Sequence, residues 1–435
     1  MCLLMYVLSM LAELVVSRTH PGLHTGLVLT WWWWDVCFVL DDVCVFWGVF
    51  VFVFLMARMV YAKRTAHASM ETHTVLVLMY MVSTLLVVLD DLVVFYALFE
   101  VMLLLIYGYM HQHSVSSRSA YAMYMLATYT VLGSAVLAVA MILMYILTGA
   151  SASMYMSAVS TTSHNYALSV AVLMHVAFYC KIPCYPMQGW LTEAHVESTT
   201  DASVLLAGIY LKVGIIGWVR YVVHAHSYCL HYMVPLIVAG VIIGTHALVP
   251  MLITTVDTKR FAAVSSIAHM QVCVALCTWP HALLTLTGVL LQLVAHSWIA
   301  AALFMVIGDV YEVHGSRAAT SLHTTGAGAS VLLMLLLANS GYPCSASYTG
   351  EWLMLATVAM LCYPLLLLVA GLAGLLAICG LALWQHMYVG RVHIHHGAYY
   401  TVDSSTTILW VVVCVLMIST MCNTTLVGYL LMLVV

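Results

Sequence analysis

HVAFYCKIPCYPMQGWLTEAHVESTTDASVLLAGIYLKVGIIGWVRY, residues 175–221, places two lysines inside apolar sequence. Lys181 closes an apolar run and is followed by Pro183 and Pro186. A helix should therefore break beside a cation, because proline offers no N–H and its ring crowds the preceding turn. Lys212 sits in the middle of the next apolar run. A lysine at bilayer depth costs about 2.5 to 3.5 kcal/mol on insertion scales, so it normally faces a bundle interior or a wet cavity and has a partner.

The surroundings make bilayer depth the right frame. Hydrophobic residues are 65% of the 435 and charged residues 6%, with a mean hydropathy of +1.07, which excludes a soluble globular domain. A span takes about 20 apolar residues, so this length accommodates about 13 of them. The net charge of -4 does not point to nucleic acid, and membrane lipids are the expected surroundings. Thirteen cysteines contain no C-x-x-C pair, so they read as small core hydrophobes rather than cluster ligands. No phosphate-cradling glycine loop is present. The start, MCLLMYVLSMLAELVV, lacks a basic leader and a cleavage site and reads as a retained first helix. A mitochondrial chain of this kind would be made inside the organelle.

In order, helices are expected over 2–16, 43–60, 73–89, 92–110, 119–147, 166–199, 202–222, 231–251, two more carrying His269 and His296, then from 327, over 366–388 and from 407. Trp31 to Trp34, within 27–40, suit a membrane interface. Glu100 lies about 13 Å from either end of its helix, at mid-bilayer. The helix from 327 is interrupted at NSGYPCSASYTGEW, residues 339–352, where Gly341, Pro343 and Gly350 open the backbone around Glu351. His393, His395 and His396 have the look of a metal site, but a solvated loop explains them better.

Basic residues test the helix count, because alternate loops should be unequal. Arg58, Lys63, Arg64, Arg118, Lys259, Arg260, Arg317 and Arg391 fall on one side, and only Arg18 and Arg220 on the other. That places the first residue on the cytoplasmic or matrix side. The segments 73–223 and 231–389 each hold five helices with the fourth broken, which describes an inverted repeat. They are preceded by residues 1–72, with the Trp-rich segment, and followed by 390–435, a polar loop and a last helix. The fold expected is thus all-α integral membrane, with two inverted five-helix repeats. Glu100, Lys181, Lys212, His269, His296 and Glu351 form a row through it, read as a proton path. Glu100 and Lys181 as a purely structural pair, and the two histidines as satisfied core residues, are the competing readings.

FYALFEVM around Glu100, CKIPCYPMQGWLTEAHVE after Lys181, LLAGIYLKVGIIGWVRY around Lys212, VDTKRFAAVSSIAHM up to His269, LVAHSWIAAALF around His296 and YTGEWLML at Glu351 carry a resemblance. Over about residues 88–390 the chain resembles the antiporter-like membrane subunits of respiratory complex I (NADH-ubiquinone oxidoreductase), subunit 4 in particular, and their relatives in multisubunit cation/proton antiporters. The resemblance implies that Glu100 and Lys181 form a glutamate–lysine pair, that Lys212 is the central lysine, and that Glu351 is the distal ionisable group. Sibling subunits typically carry lysine at that last position. It also implies a subunit that couples NADH-to-ubiquinone electron transfer to proton translocation in the mitochondrial inner membrane, or in a bacterial plasma membrane, beside other membrane-arm subunits including its siblings. FMN, iron–sulfur clusters and ubiquinone are then expected in other subunits and no cofactor or metal in this chain. A multisubunit Na+/H+ antiporter subunit and a non-pumping scaffold are the alternatives. The chain departs from the family pattern in showing about 13 spans where fourteen are usual. It also has Ser198 and Thr199 where Ala-Pro is frequent, and Cys344 in place of a common second proline.

Overall fold

The computed structural model describes residues 25–31, 34–40, 47, 51, 70–113, 116–149, 164–224, 227–277, 283–322, 326–343, 345–361 and 363–389. The expected helices over 2–16 and from 407, most of 43–60, and the histidines at 393, 395 and 396 lie outside these residues. Within them the chain is helical apart from one antiparallel pair, β1 (Thr25–Trp31) and β2 (Trp34–Leu40), with Thr25 opposite Leu40 and Trp31 opposite Trp34. The expected helical fold holds for nearly all of the described residues, and this pair is the exception. Valine, threonine, phenylalanine and tryptophan are dense in that stretch, and such side chains suit a pleated strand.

The helices are α1 (Met70–Val88), α2 (Leu92–Gln112), α3 (Ser117–Thr148), α4 (His164–Lys181), α5 (Gly189–Glu197), α6 (Thr200–Leu205), α7 (Leu211–Trp218), α8 (Ser227–Thr254), α9 (Thr258–Cys277), α10 (Leu283–His314), α11 (Gly326–Asn339), α12 (Ala346–Leu361) and α13 (Tyr363–Val389). Six described helical stretches are long and apolar enough to cross a membrane. Their outer faces are as apolar as their inner ones: Ile146 is 72% and Leu367 74% exposed. A helix that is apolar all round belongs in a large core or in lipid.

The chain divides into two compact units. The first holds Met1–Tyr109, Ser134–Ala177 and Ile216–Cys229. In it, the Asp91 carboxylate accepts from the N–H groups of Val93 and Val94 (2.8 and 3.1 Å) and so caps α2. Phe95 packs against Phe99 and edge-on against Tyr221. A side chain at Gly217 would occupy the place of the Phe95 ring.

The second unit holds Met110–Gly133, Phe178–Ile215 and Leu230–Val435. Its axis is α10, against which α6, α9, α11 and α12 pack. Gly288 and Gly350 let α10 and α12 meet backbone to backbone: a Cβ on Gly350 would lie 2.8 Å from the Gln292 nitrogen and 3.0 Å from the Gly288 oxygen. Helix α9 is buried over nearly its whole length, His269 included.

Candidate functional site

The first break follows from the sequence as expected. Helix α4 ends at Lys181, and α5 begins at Gly189 after Pro183 and Pro186. The turn is held by Ile182 N–H to Phe178 O (2.8 Å) and Cys184 N–H to Tyr179 O (3.2 Å). The indole N–H of Trp190 reaches back to the Cys180 carbonyl (2.9 Å), supplying a donor to the helix end. Lys181 is 1% exposed. Glu100, on α2, is half-buried and belongs to the first unit, whereas Lys181 belongs to the second.

The second break is a Schellman turn. Gly341 takes a positive φ of 71°, Gly341 N–H donates to Ala338 O (3.2 Å), and Tyr342 N–H donates to Leu337 O (3.1 Å). That pattern leaves the Asn339 carbonyl for a side chain, and the His269 Nε2–H takes it at 2.8 Å. Glycine at 341 serves twice. It tolerates the left-handed backbone, and a Cβ there would collide with Oε2 of Glu351. Gly341→Ala therefore carries about 1–2 kcal/mol of backbone strain and displaces the carboxylate. If the row is a proton path, the expected outcome is a chain that still assembles, with flux per assembled complex lowered more than abundance.

Lys212 is fully buried. The π turn Leu206–Tyr210 widens the helix just before it, which leaves the Ala207 carbonyl in reach of its ammonium. The ammonium also donates to Nδ1 of His296 at 2.8 Å. The His296 and His269 rings follow at 5.1 Å between centroids. His269 Nδ1 lies 3.5 Å from Oε1 of Glu351, and the Gln292 amide nitrogen bridges the two, at 3.2 Å from His269 Nδ1 and 3.1 Å from Glu351 Oε1. His269, Glu351, Met354, Leu372 and Leu376 border a cavity of about 30 Å³, enough for a water molecule. Four of the six expected residues (Lys212, His296, His269 and Glu351) thus form one continuous string in the second unit, spanning α7, α10, α9 and α12.

Sequence reasoning missed Gln292, which lies on the face of α10 one turn before His296. Its signal was available as an uncharged amide four residues from an ionisable one, in the apolar stretch GVLLQLVAH. It also gave no role to His195, although His195 lies inside a quoted motif. The ring is buried, stacks on Phe304 at 4.5 Å, and has neither nitrogen hydrogen-bonded among the described residues. Near it the C-terminus of α5 is gripped by cations: Lys259 donates to Ser198 O (3.0 Å), Arg317 to Val196 O and Glu197 (3.2 Å to the carboxylate), and Arg260 to Glu193 (2.7 Å). Cations at a helix C-terminus complement its dipole. Among the described residues no three His, Cys, Asp or Glu side chains are grouped to hold a metal.

The model of the NADH:quinone oxidoreductase/Mrp antiporter transmembrane family matches residues 90–377. NADH-ubiquinone oxidoreductase chain 4 of Prototheca wickerhamii is 31% identical over 259 residues, 58% of this chain and 48% of that protein. The protein of the same name from Marchantia polymorpha is 29% identical over 242 residues, 55% of this chain and 48% of that one. The chain thus spans about half (48%) the length of these curated relatives. In fold, it is similar to a chain of respiratory complex I from Thermus thermophilus with bound NADH, with a TM-score of 0.84 and 19% identity, covering 100% of this chain and 94% of that one. It is also similar to a chain of the Mrp complex from Dietzia sp. DQ12-45-1b, with a TM-score of 0.83 and 15% identity, covering 100% and 91%. With its apolar helices, its two breaks and a family model that covers residues 90–377, the chain belongs to the NADH:quinone oxidoreductase/Mrp antiporter membrane family.

Proposed function

We propose that the chain is a proton-translocating membrane-arm subunit of a respiratory NADH:ubiquinone reductase. The observation that carries this is the buried string Lys212, His296, His269, Glu351, in which neighbouring side chains are within hydrogen-bond or ring-contact distance. Isolated structural acids and bases would be paired off locally. These instead form a succession of proton acceptors inside apolar helices, the arrangement expected of a relay. Glu100 and Lys181 join the set because the family resemblance implies a glutamate–lysine pair, and the full set is Glu100, Lys181, Lys212, His269, His296 and Glu351.

In this reading the segments 73–223 and 231–389 are inverted five-helix repeats within about 13 spans, preceded by residues 1–72 and followed by 390–435. The start of α9, with Lys259 and Arg260, and the loop holding Arg317 face the matrix or cytoplasm. Redox chemistry belongs to other subunits, with FMN, iron–sulfur clusters and ubiquinone there and no cofactor here. The neighbours are other membrane-arm subunits, and the membrane is the mitochondrial inner membrane or a bacterial plasma membrane. A subunit of a Na+/H+ antiporter is the second reading, favoured by the likeness to the Mrp complex chain. Purifying the native assembly decides between them. NADH oxidation that acidifies one side of sealed vesicles supports the pump, cation/proton exchange without NADH oxidation supports the antiporter, and neither activity leaves a scaffold.

A further inference from the structure

Gln292 holds its amide nitrogen between Nδ1 of His269 at 3.2 Å and Oε1 of Glu351 at 3.1 Å. The His269 tautomer is set by its other nitrogen: Nε2 faces the Asn339 carbonyl at 2.8 Å, and a carbonyl only accepts. Nε2 therefore carries a hydrogen, and Nδ1 of the neutral ring presents a lone pair to the amide –NH2. The direct gap from Nδ1 to Oε1 is 3.5 Å, wider than the ~2.7–2.9 Å to which an imidazolium–carboxylate pair closes. Among the described residues, both polar partners of the Glu351 carboxylate, Gln292 and His269, stand at Oε1. Oε2 is turned to the second break, where a Cβ on Gly341 would collide with it and stand 3.2 Å from Oε1.

We propose that Gln292 is a positioning residue that decides which member of the pair carries their single proton, placing it on Glu351, at Oε2, and keeping His269 neutral. With the proton there, the –NH2 end donates to the His269 lone pair and to Oε1, now the carbonyl oxygen of the acid, and both amide bonds survive. With the proton on Nδ1 instead, an N–H of the amide meets the N–H of the ring, and buried donors set against each other are costly. Turning the amide does not rescue that state. Its oxygen would accept from Nδ1–H but face the carboxylate oxygen, and the –NH2 would move to where the amide oxygen now lies buried with no hydrogen-bond partner among the described residues. One proton enters and one leaves, and the amide itself exchanges none. The proposal rests on the proton-pump reading of this string and adds to it the atom on which the proton rests, so that His269 is charged only in transit.

The packing gives the amide a fixed mount. The Gln292 backbone is pressed against Gly350, one residue before Glu351, so donor and acid keep their spacing. The groups facing the pair are few. From α9 come His269 and Cys273, from α10 His296, from α11 the Asn339 carbonyl, and from α12 Glu351, while Lys212 stands behind His296. Helix α13 brings only Val369, Leu372, Ala373 and Leu376 to the cavity of about 30 Å³ that Glu351 borders, which leaves room for a water to accept from the acid O–H.

The test is infrared difference spectroscopy across a pH titration of the purified intact complex. The carboxylic C=O band is assigned by its loss in Glu351→Gln, and the imidazolium band by 13C-labelled histidine and its loss in His269→Gln. In the wild type, the first proton taken up by the pair is expected to appear as the acid band, with the His269 imidazolium a minor share. Gln292→Met keeps the length without donor or acceptor, and the imidazolium share of that proton should rise about tenfold, the equivalent of one hydrogen bond. Gln292→Asn, which draws the amide back by one methylene and out of reach of both atoms, should move the share the same way with polarity kept. A first proton that appears on His269 in the wild type overturns the proposal, and a share unmoved in both variants does so too, leaving Gln292 a packing residue. Pumping is recorded on the same samples. If Glu351→Gln pumps as wild type, the relay reading fails while the bands still decide where the proton rests, whereas a complex that pumps through Glu351 with its first proton on His269 sinks this proposal alone.

Discussion

Glu351→Gln is expected to leave an assembled complex in which transport through this chain falls about 100-fold or more, the scale of a lost acid–base group. The substitution keeps shape and keeps an acceptor for the Gln292 N–H at 3.1 Å, so neither packing nor the Schellman turn at Gly341 should suffer. What disappears is the only carboxylate of the described string. Moving each charge against 100 mV costs about 2.3 kcal/mol, so the loss shows as a lower NADH-driven membrane potential in vesicles holding equal amounts of mutant and wild-type complex. Glu351→Lys, which copies the sibling subunits, sets a donor against the donor end of Gln292 and is expected to recover only a fraction of the flux. A Glu351→Gln complex that pumps as well as wild type would make the glutamate a structural acid and end the row at His296.

Lys212→Met should separate stability from function. Taking an ammonium out of the bilayer interior relieves about 3 kcal/mol. The same change leaves the Ala207 carbonyl and His296 Nδ1 without their donor, at about 1–3 kcal/mol each. The two effects nearly offset, so the amount of assembled complex and its thermal midpoint should change little. Transport should nevertheless fall about 100-fold, because the string is cut at its first member. A structural lysine would show the reverse, with lost assembly and normal flux per surviving complex. Flux normalised to assembled complex, measured beside thermal unfolding, checks both halves.

What could be read from the sequence follows from lipid as the solvent. Helices that are apolar on every side give no stripe from which to infer packing, so partners such as α10 against α12 were invisible. Ionisable interruptions were legible because each is expensive at depth: Lys181, Lys212 and Glu351 stand out from apolar runs, and Pro183, Gly341 and Pro343 mark the breaks. The boundaries found at Lys181, Gly189 and Asn339 agree with those signals, but the second break ends before Ala346, so Gly350 and Glu351, expected in open backbone, lie within α12, where Gly350 serves close packing on α10 instead. The π turn before Lys212 left no mark, since LAGIY is ordinary helical sequence and the widening comes from tertiary packing. Gln292 was overlooked because an amide has no charge to betray it. The strands β1 and β2 were hidden by the habit of reading tryptophan runs as interface anchors.

The backbone contact between Gly288, Gln292 and Gly350 would be the fulcrum of any tilt of α12 against α10. Helix α12 has no side chain there to compress, so a tilt of that helix pivots at Gly350. Leu361 is eleven residues along, about 16 Å from the pivot, while the Glu351 backbone is about 1.5 Å from it. A 10° tilt swings the far end by about 3 Å and the Glu351 backbone by about 0.3 Å. A tilt of α12 about this contact would therefore displace its far end most and the Glu351 backbone least.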